Sequence, residues 1–109
     1  MIRKIILLLL IASVSNSASA VSYMGNTPCG KWVKDRSSGR VGDQLASVGW
    51  LIGYLNGVAV WSDVDILLKA DGESLMLWMD NYCKANPLES VAHGGLLLGV
   101  ELLKKNSPN

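Results

Sequence analysis

The chain has 109 residues, half of them hydrophobic and 17% charged, enough for one domain with a core of its own. Ten basic residues stand against nine acidic ones. That balance excludes recognition of nucleic acid or anionic lipid by bulk charge.

Met1 to Ala20 read as a secretory signal peptide. Arg3 and Lys4 form the charged start, Ile5 to Ala12 the apolar centre, and Ala18-Ser19-Ala20 a small-x-small cleavage site. A membrane span needs about 20 apolar residues, and this run breaks into Ser and Asn well short of that. No cysteine follows the cut, so no lipid anchor is expected. Export makes the mature chain, residues 21–109, a periplasmic protein. Loss of Arg3 and Lys4 moves its net charge from +1 to −1.

Cys29 and Cys83 are the two cysteines of a chain sent to an oxidising compartment, and a disulfide is expected between them. A metal site would show more ligands or a close Cys pair, and a redox catalyst a C-x-x-C. Closing so long a loop contributes roughly 4 kcal/mol on the chain-entropy account.

Residues 21–28, "VSYMGNTP", carry no periodicity and read as an irregular lead. "CGKWVKDR", Cys29 to Arg36, suits two helical turns with Trp32 and Val33 inward, and "SSGRVG" breaks the pattern. A second helix is expected from Asp43, as N-cap, to Trp61. It is apolar on nearly every side, which places it at the centre of a core or in lipid. "SDVDILLKADGE" follows as a loop or one brief helical turn. A clearly amphipathic helix then spans Gly72 to Ala85, with Leu75, Trp78, Met79 and Tyr82 on one face and Glu73, Asp80, Asn81 and Lys84 opposite. The last helix runs from Pro87 to Lys105, with Asn86 as N-cap and Glu89 completing a capping-box arrangement. Its apolar side holds Leu88, Val91, Leu98, Leu102 and Leu103.

Gly49, Gly53 and Gly57 recur every fourth residue inside the second helix, and Gly95 and Gly99 do so in the last. A glycine inside a helix costs about 1 kcal/mol relative to alanine. Two such stripes let backbones approach closely and recover dispersion energy. The two helices are therefore expected to cross at these helix-packing glycines. A transmembrane helix using a G-x-x-x-G face is the competing reading. The apolar run of the second helix is short for a span, contains Asn56 and lacks basic flanks, so no membrane span is expected in the mature chain.

Nothing in the pattern points to catalysis, a cofactor or a metal. His93, the only histidine, falls on a polar helix face one turn after Glu89 and reads as a solvated ion-pair partner. No serine or free cysteine is placed to serve it as a nucleophile. Asp63 and Asp65 lack the further oxygen ligands and terminal glutamate of a calcium loop. Trp32, Trp50 and Trp78 occupy core positions. Trp61, beside the acidic Asp63 and Asp65, is the tryptophan expected at the surface, and the three together are the candidate partner interface.

The order "CGKWV", then "WLIGYLNGV", then "WMDNYCKANPLESV" resembles the small secreted all-helical Rap/Tai-type immunity family, which protects bacteria against type VI secretion amidase toxins. The resemblance covers Cys29 to Leu103. Its specific parts are the G-Y-L-x-G step at Gly53 to Gly57 and the Y-C-x-x-N-P-L run at Tyr82 to Leu88. The chain departs from it in having only two cysteines where many such proteins carry more. A fainter outline is similar to the HdeA-type periplasmic acid chaperones. The resulting expectations are an all-α, compact bundle of four to five helices stapled by one disulfide, core about 29–105. It would be non-enzymatic and bind a protein partner, an amidase toxin on the first resemblance. The second implies an acid-loosened homodimer, and an accessory subunit of an envelope complex is a third role.

Overall fold

The structure, a computed structural model, describes residues 21–108. The expected signal peptide lies outside the described residues. Four helices account for most of the rest: α1 (Cys29–Ser37), α2 (Val41–Ser62), α3 (Gly72–Ala85) and α4 (Val91–Asn106). The segment between α2 and α3 is turn, not helix. The protein is all-α, with the Cys29–Cys83 disulfide tying the start of α1 to the end of α3.

Each helix begins and ends for a local reason. α1 starts after the extended Pro28 and finishes with Lys34 and Arg36 facing its dipole. Gly39, at φ +69°, then makes the turn into α2 in a conformation other side chains rarely adopt. α2 starts two residues before the expected cap, and Asp43 instead lies in its first turn, paired to Arg40 at 3.1 Å. It stops at Asp63, which takes the left-handed conformation (φ 55°) that Asp tolerates better than most residues. Asp71 caps α3, accepting from Ser74 N at 2.8 Å and Ser74 Oγ at 2.7 Å.

The start of α4 differs from the sequence expectation. Asn86 does not cap it. Asn86 closes α3 instead, donating its N–H and its Nδ2 to Tyr82 O at 2.9 and 3.0 Å. Residues 86–90 are non-helical, Leu88 is fully exposed rather than on an apolar helix face, and Ser90 is the cap, accepting from His93 N. The cause is tertiary. Val91 N donates to Thr27 O at 2.9 Å, Ala92 N to Asn26 Oδ1 at 3.0 Å and Cys29 N to Glu89 O at 2.9 Å. The lead segment thus occupies donors that a helix start leaves open.

The helices form a closed ring of neighbours. α1 packs antiparallel on α3 through the disulfide and through Asp80, which accepts from Trp32 Nε1 (2.8 Å), Arg36 Nε (3.0 Å) and Arg36 Nη2 (3.1 Å). Asp80, expected on a solvated face, is therefore the polar joint of that interface. α1 runs antiparallel to α2, where Ser47 Oγ donates to Asp35 Oδ2 at 3.2 Å and Lys31 Nζ reaches the same oxygen at 2.6 Å. α3 meets α4 through Met79 and Tyr82 at Gly94, and α2 meets α4 through Tyr54 at Gly95 and Val58 at Gly99. Between them lies a core of Trp32, Leu51, Leu55, Leu75, Met79, Val91, Leu98 and the disulfide. Burying a leucine such as Leu51 or Leu55 stabilises the fold by about 1.5–3 kcal/mol.

Candidate functional site

The glycines of the two stripes have opposite environments. A Cβ built on Gly95 would lie 3.1 Å from Tyr54 Cδ1, and one on Gly99 would lie 3.6 Å from the Val58 methyls. Gly94, which the spacing argument passed over, is the tightest: Tyr82 Cδ1 stands 2.6 Å and Met79 Sδ 2.7 Å from its Cβ position. So α4 is a column of holes. Side chains of α2 enter at Gly95 and Gly99, and side chains of α3 enter at Gly94.

Gly49, Gly53 and Gly57 do not take part. Among the described residues, nothing lies within 4 Å of a Cβ at any of them. The expected glycine-on-glycine crossing of the second and last helices is absent, because Tyr54 and Val58 project from α2 into α4 and turn the α2 glycines outward. Nor is α2 buried all round. Ser47, Leu51 and Leu55 are its buried residues, and only 17% of its most apolar stretch is inside the protein. By length and composition alone α2 could cross a membrane.

What α2 shows to the outside is a face about 24 Å long, from Leu45 to Trp61. It carries Leu45, Gly49, Gly53, Gly57, Val60 and Trp61, and no charge between Asp43 and Asp63. Trp61 is 88% exposed, as its position beside the acidic turn suggested. Asp63 and Asp65 follow it around a shallow depression with Val60 and Val64. Toward the other end, Tyr23 from the lead packs edge-on against Trp50, which stacks on Tyr54 at 5.5 Å. Burial, and then the neighbouring Tyr23, raises the Tyr54 pKa.

His93 sits 3.3 Å from Glu89, the pairing its spacing implied, and also meets the Tyr82 hydroxyl. Tyr82 stacks almost parallel on Trp78 (5.5 Å, 7°), and Trp78 Nε1 donates to Glu101 Oε2 at 2.8 Å. Burial, and then the Glu89 charge, raises the Tyr82 pKa. Among the described residues, no three His, Cys, Asp or Glu side chains gather as metal ligands.

Three aspartates are held below the usual carboxylate range. For Asp35 the Lys31 bond is the main cause, against some loss from burial, with Ser47 adding to it. For Asp71 it is the pair of bonds from Ser74. At Asp80 burial pushes upward, and the bonds from Arg36 and Trp32 together with the Arg36 and Lys84 charges outweigh it.

A cleft of about 510 Å³ lies away from the α2 face, between the start of α3, the end of α4 and the turn before α3. Ile66, Leu75, Leu98 and Leu102 form its floor, and Lys69, Glu101 and Lys105 stand at its rim. Sequence reasoning missed it. Its residues come from three segments, and only the i, i+4 spacing of Glu101 and Lys105 hinted at their proximity.

Compared with known protein families, curated proteins and solved structures, the chain matches none.

Proposed function

We propose that this chain is a non-enzymatic periplasmic binding protein. In this reading it is an immunity protein that neutralises a cell-wall-degrading amidase toxin by docking the outer face of α2 on it. The observation that carries the proposal is that face: uncharged over its whole length, lined by glycines with open space above them, and ending on a tryptophan that is 88% exposed. Tryptophan in an apolar patch is a typical anchor of protein interfaces. A glycine stripe lets a partner's side chains reach the helix backbone. Packing of Leu51 and Leu55 in the core and of Tyr54 and Val58 against α4 keeps the surface preformed, which lowers the ordering cost of binding.

The test is protection. If an amidase effector is encoded beside it, cells lacking the protein and exposed to that effector are expected to lyse. Wild-type protein should rescue them, and Trp61→Asp and Gly53→Leu, folded by circular dichroism, should not. Rescue by both variants at wild-type level would overturn the assignment of the face. Survival of the deletion strain against every neighbouring effector would overturn the immunity role.

A second reading, an acid-activated chaperone, is favoured by the three depressed aspartates. A carboxylate with a lowered folded pKa contributes stability above its unfolded value and loses it as pH falls. The α1 joints at Asp35 and Asp80 therefore weaken below roughly pH 4. Suppression of client aggregation at pH 2–3 supports this role; a protein that stays folded and inert there rules it out.

A further inference from the structure

The cleft beneath the α3–α4 junction is lined by charges left unused by the fold. Glu101 and Lys105 are one turn apart on α4, the spacing at which Glu and Lys ordinarily pair. They do not pair. Glu101 turns instead to Trp78, its Oε2 accepting from the indole N–H at 2.8 Å, and its Oε1 accepts nothing among the described residues. Lys105 and Lys69 make no ion pair among the described residues, although both line the cleft. The remaining charge at the rim, Asp71, keeps its negative charge, because its partners on Ser74 are neutral, but each of its carboxylate oxygens is already occupied in capping α3. The cleft therefore offers one open carboxylate oxygen and two ammonium groups above an apolar floor. Its volume falls within the usual range for small-molecule sites.

We infer that this cleft binds a zwitterion with apolar side chains, a free amino acid or a short peptide with unblocked ends. The ligand's ammonium sits at Glu101 Oε1, its carboxylate between Lys69 and Lys105, and its side chains on Leu75, Leu98 and Leu102. An anionic amphiphile satisfies the lysines but sets its charge beside Glu101, and a cationic one does the reverse. Only a ligand carrying both signs uses the whole rim. Trp78 is the positioning residue: its indole holds Glu101 away from Lys105, so the two do not neutralise each other. The inference does not depend on the immunity reading, which uses a different face.

The experiment is a titration of the purified protein with the dipeptide Leu-Leu, followed by calorimetry and by the indole N–H signals of the four tryptophans. The Trp78 signal is expected to move on binding while that of Trp61 stays. N-acetyl-Leu-Leu and Leu-Leu-amide should each bind at least tenfold more weakly. Glu101→Gln should weaken the free dipeptide tenfold and leave the acetylated one unchanged. Lys69→Gln/Lys105→Gln should do the same with respect to the amide. These side chains are solvent-facing, so the variants are expected to keep the wild-type melting temperature. No heat and no Trp78 shift at millimolar Leu-Leu overturns the inference. Equal affinity for blocked and free peptides also overturns it, reducing the cleft to a site for apolar chains or for ions of one sign.

Discussion

Gly95 and Gly53 pose the same problem in the sequence: each is mid-helix, in an apolar run, four residues from another glycine. The fold treats them differently. At Gly95 an added methyl would press on the Tyr54 ring at 3.1 Å; at Gly53 it would meet nothing within 4 Å. In α4 the intrinsic cost of glycine is offset by the rings and methyls that fill the vacated space. In α2 nothing among the described residues offsets it, and three such positions cost about 3 kcal/mol together. That is a substantial share of the ~5–15 kcal/mol typical of a domain. A small-residue stripe therefore does not identify its own partner. One stripe here is a socket for the chain's own side chains, and the other faces outward, where a binding partner is the simplest reason to keep it.

The sharpest way to break this contrast is to fill a socket. Gly94→Val places methyl groups where Met79 Sδ and Tyr82 Cδ1 already stand, 2.7 and 2.6 Å from the Cβ position. Met79 can bend, but the Tyr82 ring is held by its stack on Trp78. Overpacking of this kind costs about 3 kcal/mol, roughly a 12–24 °C drop in melting temperature for a domain of this size. If thermal denaturation moves by less than a few degrees, the α4 glycines are not sockets and the contrast with α2 disappears.

A smaller effect tests what holds the knobs in place. Met79 and Tyr82 project from α3, which the disulfide and Asp80 pin to α1. Asp80→Ala leaves the buried Trp32 indole N–H and the Arg36 guanidinium without their shared acceptor, a loss of about 2 kcal/mol at neutral pH. Because the folded Asp80 pKa is lowered, its contribution is present above the unfolded pKa and fades as pH falls through the folded one. Chemical denaturation of wild type and variant should therefore converge below about pH 4. A gap that does not narrow at all as pH falls below the ordinary carboxylate range would assign the loss to packing rather than to the carboxylate.

Much of the architecture was legible in the sequence, and the failures share one cause. The period-3.6 pattern located α3 at Gly72–Ala85, and two cysteines in a chain whose start reads as a signal peptide implied their pairing. Trp61 was identified as exposed from its position at the end of a helix beside acids. What local patterns could not show was anything decided by a distant segment. Asn26 and Thr27 set the start of α4 from more than sixty positions away, overriding the capping signal at Asn86. Asp80 reads as a surface residue until Trp32 and Arg36 arrive from α1. α2 is apolar all round, so composition could not tell which side faces the core. Tyr54 and Val58 decide that by entering α4, and the glycine spacing is blind to it. The cleft is a still more distant product, since its floor and rim come from three separate segments.

The smallest effect is also the one of opposite sign. Gly53→Ala adds a methyl into open space on an exposed helix face, so only the helix propensity changes, in favour of the variant by about 1 kcal/mol. Gly95→Ala gains the same propensity but crowds Tyr54 at 3.1 Å, and should be less stable than Gly53→Ala by about that amount. The pair of melting curves thus reads the two stripes directly, and a stabilised Gly53→Ala protein that fails to protect cells would separate the glycine's cost to folding from its use. If Gly53→Ala instead destabilises the chain, some surface already covers the α2 face in solution, and the outward stripe is occupied before any further partner arrives.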